Sequence, residues 1–154
     1  MKPRIYIDTS VIGGCCDIEF SQWSIQLMEE VRQGLKIAVI SDLTEKELEG
    51  APEEVKKVYA ALPHKSIEYV SLTEESEKLA QHYLVERVVS SKHLADAQHM
   101  AIAAVEQVNV LVSWNFQQIV NLNRIHKFNA VNLKWGYPLL EIRSPREVLR
   151  EEEV

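Results

Sequence analysis

The stretch "PRIYIDTSVIGG", residues 3–14, joins a short apolar run to an acidic, hydroxyl-rich turn. Ile5–Ile7 consists of residue types that favour a β-strand. Asp8–Ser10 follows at once, and two glycines come shortly afterwards. An aspartate in this place either caps a helix or forms one wall of an acidic site. These residues alone leave both interpretations open. The choice depends on which other polar residues the fold would bring close to Asp8.

The composition is that of a globular protein. The chain has 154 residues, of which 46% are hydrophobic and 26% charged, with a formal net charge of −6. We therefore expect a single domain over residues 1–154. The negative charge argues against a protein that coats nucleic acid but permits a local basic rim. Without an apolar run near the ~20 residues of a membrane span, and without a signal peptide, we expect no membrane partner and a cytoplasmic location. The adjacent Cys15 and Cys16 are expected to be reduced.

Strand patterns alternate with helix patterns along the chain, which favours an α/β fold with a parallel sheet covered on both faces. The predicted strands are 5–7, 35–41, 66–72, 109–114 and 128–133. The predicted helices are 21–34, 42–50, 51–63, 73–89 and 93–108, with short helices in 115–125. The C-terminal stretch 141–154 suits either a strand and a short helix capped at Ser144, or a docking segment.

Acidic residues recur where such a fold would bring them together. Ligands of parallel sheets bind beyond the carboxyl ends of the strands, and Asp8 lies at the end of the first strand. Glu47 shares a helix face with Leu43 and is the acid of its helix most apt to turn inward. Asp96 directly precedes Ala97, where the apolar stripe of its helix begins. A solvated acidic helix for Glu47 and dipole stabilisation for Asp96 remain alternatives.

Two further polar residues lie near these positions. Asn115 follows the fourth strand, where an amide is either a turn residue or part of the site. His99 comes three residues after Asp96 and is either a functional group or a polar residue satisfied at the helix edge. His93 and His99 lie on different faces of the helix, which argues against a zinc pair.

Four stretches occur in one order over nearly the whole chain: "YIDTSVI", "ISDLTEKEL", "LADAQHMAIA" and "VLVSWNFQQIV". Together they resemble the PIN-domain family, a nuclease fold that includes the VapC-type toxins of toxin–antitoxin pairs. The resemblance implies a three-layer α/β/α sandwich with a mostly parallel, about five-stranded sheet. It also implies an acidic cluster that binds Mg²⁺ or Mn²⁺ and cuts RNA.

Carried over by position, Asp8, Glu47 and Asp96 match the first three acids of the family, and Ser10 matches a hydroxyl of the site. Asp8 and Asp96 would be the main metal ligands, and Glu47 would bind through water or assist proton removal. Asn115 stands where many members carry a fourth acid; its carbonyl oxygen could ligate a metal but brings no charge. This departure leaves two alternatives: an active ribonuclease, slower or with one metal ion, and a PIN-fold module that binds RNA or protein without cutting.

The predicted RNA contacts are four basic side chains. We expect Arg87, Lys92, Arg124 and Lys127 to contact phosphates, with ordinary solvated faces as the alternative. Trp114 could stack on a base, or it could pack in the core or in a dimer. The resemblance further implies a homodimer and a small antitoxin protein as partners.

Other enzyme classes lack their motifs here. A haloacid-dehalogenase-type phosphatase needs a second Asp two residues after Asp8, where this chain has Ser10. A receiver domain needs a lysine after a late strand, which "SWNF" does not provide. The glycine-rich nucleotide-binding motifs GxGxxG and GxxxxGK[ST] do not occur.

Overall fold

A single all-parallel sheet organises the protein. The computed structural model describes residues 1–150. Its five strands follow the order β3-β2-β1-β4-β5, and all four strand pairings are parallel. The strands are β1 (Arg4–Ile7), β2 (Ile37–Ser41), β3 (Ile67–Val70), β4 (Val110–Val112) and β5 (Ile142–Arg143). The predicted parallel α/β sheet is thus confirmed.

Helices connect the strands and cover both faces of the sheet. They are α1 (Thr9–Gly14), α2 (Ser21–Arg32), α3 (Asp42–Glu49), α4 (Glu53–Ala60), α5 (Glu74–Val85), α6 (Leu94–Val105) and α7 (Leu122–Lys134). Short 3₁₀ helices occupy His64–Ser66, Ser91–His93 and Pro145–Val148. Over residues 1–150, none of the helices combines the length and the apolar character needed to cross a membrane.

Two cores lie on opposite faces of the sheet because successive strand side chains point to opposite sides. Tyr6, Val39 and Leu111 pack on one face against α5, α6 and α7. Ile7 and Ile40 pack on the other face with α1, α2 and α4. All five strand residues are fully buried. The result is the predicted α/β/α sandwich.

The prediction of a fifth strand at 128–133 is wrong, because these residues belong to α7. Phe128, Val131 and Asn132 are buried at i, i+3 and i+4, which is the spacing of one helix face. The Asn121 side chain caps this helix by accepting a hydrogen bond from the Arg124 N–H. Of the short helices predicted in 115–125, only the part from Leu122 onward is helical.

The fifth strand lies instead in the C-terminal stretch. Ile142–Arg143 pairs with β4, and Ser144 and Glu147 form a capping box at the following 3₁₀ helix. The strand and the capped helix predicted as one alternative for this stretch are therefore both present. Residues 151–154 of the stretch lie outside the described residues.

The sheet changes its winding direction beside β1. The chain runs from β1 outward through β2 to β3, and β4 then pairs with the opposite edge of β1. Asp8 follows β1 and Ser113 follows β4, so the two residues flank this switch point. Ligands of open parallel sheets bind at such a point.

Candidate active site

Asp8 is buried at the carboxyl end of β1, where two serines hold one of its carboxylate oxygens. Its Oδ2 accepts hydrogen bonds from Ser10 Oγ at 2.7 Å and from Ser113 Oγ at 2.8 Å. The side chain makes no capping hydrogen bond to α1. Within residues 1–150, Oδ1 has no hydrogen bond. Asp8 thus occupies the N-cap position of α1, but its carboxylate binds the two serines and does not cap the helix.

The same two serines fasten the segment after β4 to the end of β1. The backbone N–H of Trp114 donates to Ser10 Oγ at 3.0 Å, and that of Asn115 donates to Ser113 Oγ at 3.0 Å. Each hydroxyl thus accepts from the backbone and donates to Asp8. This arrangement fixes the Asp8 carboxylate without using Oδ1.

Asp96 lies half-buried in the first turn of α6, within the electrostatic reach of Asp8. Burial, followed by the negative charge of Asp8, raises the pKa of Asp96 above its ordinary value. His93 Nδ1 lies 3.6 Å from the Oδ2 atom of Asp96. A raised carboxyl pKa next to a second carboxylate indicates repulsion that a bound cation would relieve.

Asn115 presents its amide nitrogen to Asp96. Its Nδ2 lies 3.4 Å from Asp96 Oδ1, while its own Oδ1 accepts from the Gln118 backbone N–H at 3.0 Å. The backbone donor fixes the orientation of the amide. The carbonyl oxygen that could ligate a metal is thus engaged elsewhere in this structure.

Glu47 reaches the site from α3 and is held there by two donors. His99 Nε2 lies 2.5 Å from Glu47 Oε1, and the Thr9 hydroxyl donates to the same oxygen at 2.8 Å. Burial alone would raise the pKa of Glu47, but the hydrogen bond and charge of His99 lower it below its ordinary value. The side chain is 36% exposed, so Glu47 lies at the open side of the site.

His99 connects Glu47 to a buried chain of hydroxyl groups. Only 1% of the residue is exposed. Its Nδ1 lies 2.6 Å from the Tyr6 hydroxyl, which in turn lies 2.8 Å from Ser41 Oγ. Its Nε2 also lies 3.7 Å from Asp8 Oδ1. Burial lowers the pKa of His99, but the Glu47 hydrogen bond and the nearby carboxylates outweigh burial and raise it.

Sequence reasoning missed Tyr6 and gave His99 only an open role. Tyr6 looks like an ordinary strand residue, and its contact with His99 spans 93 positions. A usable signal was the placement of His99 on the apolar stripe of α6, since a histidine buried there must find polar partners.

The four predicted phosphate-binding residues lie between the end of α5 and the middle of α7. Lys92 lies in the 3₁₀ helix Ser91–His93 before α6, and Lys127 lies on α7; both are exposed. Arg87 is also exposed, in the turn after α5, with a left-handed backbone (φ 59°). The Arg124 guanidinium donates to the Val88 carbonyl and is therefore already engaged.

Trp114 packs in the core, as one of the alternatives predicted, and is not exposed for stacking on a base. It is buried and stacks on Phe20, with ring centroids 4.2 Å apart. Its Nε1 donates to Ser24 Oγ at 2.8 Å. A ring held in this way is not free to stack on a nucleotide base.

The oxygen donors of the site fit one hydrated cation better than two. Within residues 1–150, no group of three or more His, Cys, Asp or Glu side chains is arranged to hold a metal ion. Glu47 is turned toward His99, and the charge of Asp8 acts on Asp96. Mg²⁺ in proteins is commonly held by one or two carboxylates and keeps several waters, so Asp8 and Asp96 are the carboxylates that would hold a hydrated ion.

The fold is similar to two solved VapC structures. Mycobacterium tuberculosis VapC20, a toxin that cleaves the sarcin-ricin loop, aligns with a TM-score of 0.54 over 73% of this chain and 91% of its own, at 16% identity. Rickettsia felis VapBC2, bound to a DNA fragment from its promoter, aligns with a TM-score of 0.57 over 92% of this chain and 98% of its own, at 12% identity.

Comparison with protein-family models gives no match, and comparison with curated proteins gives none. At identities of 16% and 12%, the two structures establish the fold and not the activity. The order and direction of the strands, together with these alignments, show that the chain has the PIN-domain fold of the VapC proteins.

Proposed function

We propose that this chain is a divalent-metal-dependent endoribonuclease, the toxin component of a toxin–antitoxin pair. The observation that carries the proposal is the polar bridge between Asp8 and Asp96. Ser113 Oγ donates to Asp8 Oδ2 and accepts from the Asn115 N–H, and Asn115 Nδ2 lies 3.4 Å from Asp96 Oδ1. Burial raises the pKa of Asp96, and the charge of Asp8 raises it further. Two carboxylates near each other would suit Mg²⁺ or Mn²⁺, which prefer oxygen ligands.

Asp8 and Asp96 would hold the cation. When bound, Mg²⁺ or Mn²⁺ supplies positive charge that stabilises the attacked phosphate and makes water more acidic. Ser10 and Ser113 keep Oδ2 of Asp8 occupied, so Oδ1 is the oxygen free to bind. Without the two serines, Asp8 could rotate and lose this orientation.

Glu47 would take a proton from the attacking water. Both of its hydrogen bonds fall on Oε1, and its lowered pKa keeps the carboxylate ionised and able to accept. Asn115 would present an N–H donor at the same opening. Hydrolysis would leave a 5′-phosphate and a 3′-hydroxyl, as in the family that the sequence resembles.

RNA and a small antitoxin protein are the proposed partners. VapC20 is a toxin that cleaves the sarcin-ricin loop, and VapBC2 was solved in complex with a DNA fragment from its promoter. Arg87, Lys92 and Lys127 are the exposed bases that would contact phosphates. The homodimer, the cytoplasmic location and the single domain over residues 1–154 stay predictions from the sequence.

A second function is a PIN-fold module that binds RNA or protein without cutting it. The observation that favours it is the small ligand set, since Glu47 is bonded to His99 and Asn115 offers nitrogen rather than oxygen. Such a module would keep the basic rim but would not need a cation for binding.

Cleavage of a mixed RNA panel in Mg²⁺ or Mn²⁺, with analysis of the product ends, separates the two functions. We expect the wild-type chain to cut and EDTA, Asp8→Asn or Asp96→Asn to abolish cutting. Asp17→Asn is the matched control, because Asp17 is exposed in the turn after α1 and loses the same charge. RNA binding without cleavage by the wild type would favour the module, and equal cutting by all variants would exclude the proposed site.

A further inference from the structure

A buried chain of polar groups runs behind Glu47. Ser41 caps α3 by accepting the Thr44 N–H at 3.1 Å, and its Oγ lies 2.8 Å from the Tyr6 hydroxyl. Tyr6 contacts His99 Nδ1, and His99 Nε2 contacts Glu47. Glu47 belongs to the same helix that Ser41 begins. These hydrogen bonds therefore form a closed loop that connects α3 to β1 and α6.

Both ring nitrogens of His99 are occupied, which excludes a ligand role for the imidazole in this arrangement. Glu47 carries a lowered pKa and is an ionised acceptor, so Nε2 must be the donor in that contact. Nδ1 faces the Tyr6 hydroxyl, which can accept or donate according to the charge of the ring. The donation from Nε2 to Glu47 is the same in both cases.

We propose that His99 is the positioning residue of Glu47: its Nε2–H holds Oε1 of that carboxylate, while Tyr6 and Ser41 hold the imidazole from behind. This inference rests on the proposed ribonuclease, in which Glu47 accepts the proton of the attacking water. Because Thr9 and His99 both bind Oε1, the arrangement leaves Oε2 available to accept a proton. Within residues 1–150, Oε2 has no hydrogen-bond partner.

His99 also lies close to Asp8. Its Nε2 lies near both carboxylates, 2.5 Å from Glu47 Oε1 and 3.7 Å from Asp8 Oδ1. A donor at this place reduces the repulsion between the two acids. The His99 imidazole thus holds Glu47 close to Asp8, and Glu47 need not bind the metal.

The experiment compares three variants in RNA cleavage with Mg²⁺. His99→Leu removes the donor at similar volume, and we expect it to lower kcat by roughly 10- to 100-fold with little change in KM, as for residues that orient a catalytic group. His99→Gln keeps an N–H near the position of Nε2 and should recover most of this activity. In a Glu47→Gln background, His99→Leu should have little further effect, because the group that it positions has already been removed.

Two results would overturn the inference. In the first, kcat falls as much in His99→Gln as in His99→Leu. In the second, kcat of the double variant falls by the product of the factors seen in Glu47→Gln and His99→Leu alone. Either result would mean that His99 acts through the core and not through Glu47.

Nuclear magnetic resonance provides a test that does not depend on activity or on a stable His99→Leu chain. The ¹H–¹⁵N signal of His99 Nε2 should be protected from exchange in the wild type and should shift in Glu47→Gln. Glu45→Gln is the control, since Glu45 lies on the same helix and bonds to Tyr59 instead. An unchanged signal in Glu47→Gln would refute the inference. A wild-type chain that cuts no RNA would refute the proposed function while the NMR result still decides this contact.

Discussion

The Asn115 amide contacts the backbone N–H of Gln118 on one side and the carboxylate of Asp96 on the other. Its Oδ1 accepts from the Gln118 N–H at 3.0 Å, and its Nδ2 lies 3.4 Å from Asp96 Oδ1. In this position a neutral amide reduces the repulsion around Asp96, where a carboxylate would increase it. We therefore expect the charge at position 115 to affect both the affinity for a cation and the stability of the metal-free protein.

Asn115→Asp is expected to tighten Mn²⁺ binding and to weaken the metal-free fold. One carboxylate oxygen would keep the Gln118 N–H, and the other would add a charge next to Asp96. At a half-exposed separation such a charge contributes on the order of 1 kcal/mol, so we expect a roughly fivefold lower Kd by calorimetry. The melting temperature should fall without metal and recover with it.

The control for this variant is Asn109→Asp. Asn109 Oδ1 accepts the Arg4 N–H at 2.7 Å at the opposite edge of the sheet, so the substitution adds the same charge far from the site. An equal gain of affinity in Asn109→Asp, or no gain in Asn115→Asp, would place Asn115 outside the metal-binding region.

The stability of the metal-free protein should fall as pH rises through the titration of Asp96. Burial and the charge of Asp8 raise the folded pKa of Asp96 above the ordinary 3.8, so the folded state binds more protons than the unfolded state between the two values. Stability then decreases with pH across this window. We expect urea denaturation to show this slope and saturating Mg²⁺ to reduce it.

Asp96→Asn isolates the contribution of this carboxyl group. The variant should lack the part of the slope that Asp96 contributes just above pH 3.8 and should be more stable than the wild type at neutral pH without metal. Asp17→Asn, which removes an exposed charge, should keep the slope. The part of the slope that His99 contributes has the same sign, since its pKa is also raised, but lies at higher pH and remains in Asp96→Asn.

Four of the five strands could be predicted because each is a short apolar run between helical patterns. The fifth could not, because Ile142–Arg143 has two residues and no period of its own; its pairing with β4 defines it. The short, largely apolar stretch at 128–133 gave a false strand, since the cap that begins α7 lies at Asn121, seven residues upstream. Such errors arise where distant contacts or distant caps decide the local structure.

The expectation that Asp8 and Asp96 lie near one edge of the sheet follows from the rule that ligands of parallel sheets bind beyond the carboxyl ends of the strands. The partners of the site residues do not follow from any local pattern. His99 and Glu47 are 52 positions apart, and the amide orientation of Asn115 depends on a backbone N–H. Sequence therefore indicates which acids lie at the edge but not which donors hold them.

Gly14→Ala is expected to destabilise the protein, because α1 passes close to the indole of Trp114. A Cβ at Gly14 would lie 2.6 Å from Ser24 Oγ and 2.7 Å from Trp114 Nε1, the two atoms of a buried hydrogen bond. Overpacking of this kind costs about 1–3 kcal/mol of unfolding free energy. Gly13→Ala is the matched control on the same helix, since a Cβ there meets no atom within 4 Å. We expect Gly13→Ala to leave stability equal or higher, and equal destabilisation in both variants would contradict the packing argument.

Lys92→Gln and Lys127→Gln should weaken RNA binding and make it less sensitive to salt. Both lysines are exposed, Lys92 four residues before Asp96 and Lys127 on α7, and removing one phosphate-binding charge should lower the slope of log K against log[salt] by about 0.7. Titrations of single-stranded RNA in EDTA would measure this without cleavage. Lys65→Gln is the control, because Lys65 precedes β3 at the opposite edge of the sheet. A slope that falls equally in Lys65→Gln would mean that RNA senses only the net charge of the chain and has no preferred path across the site.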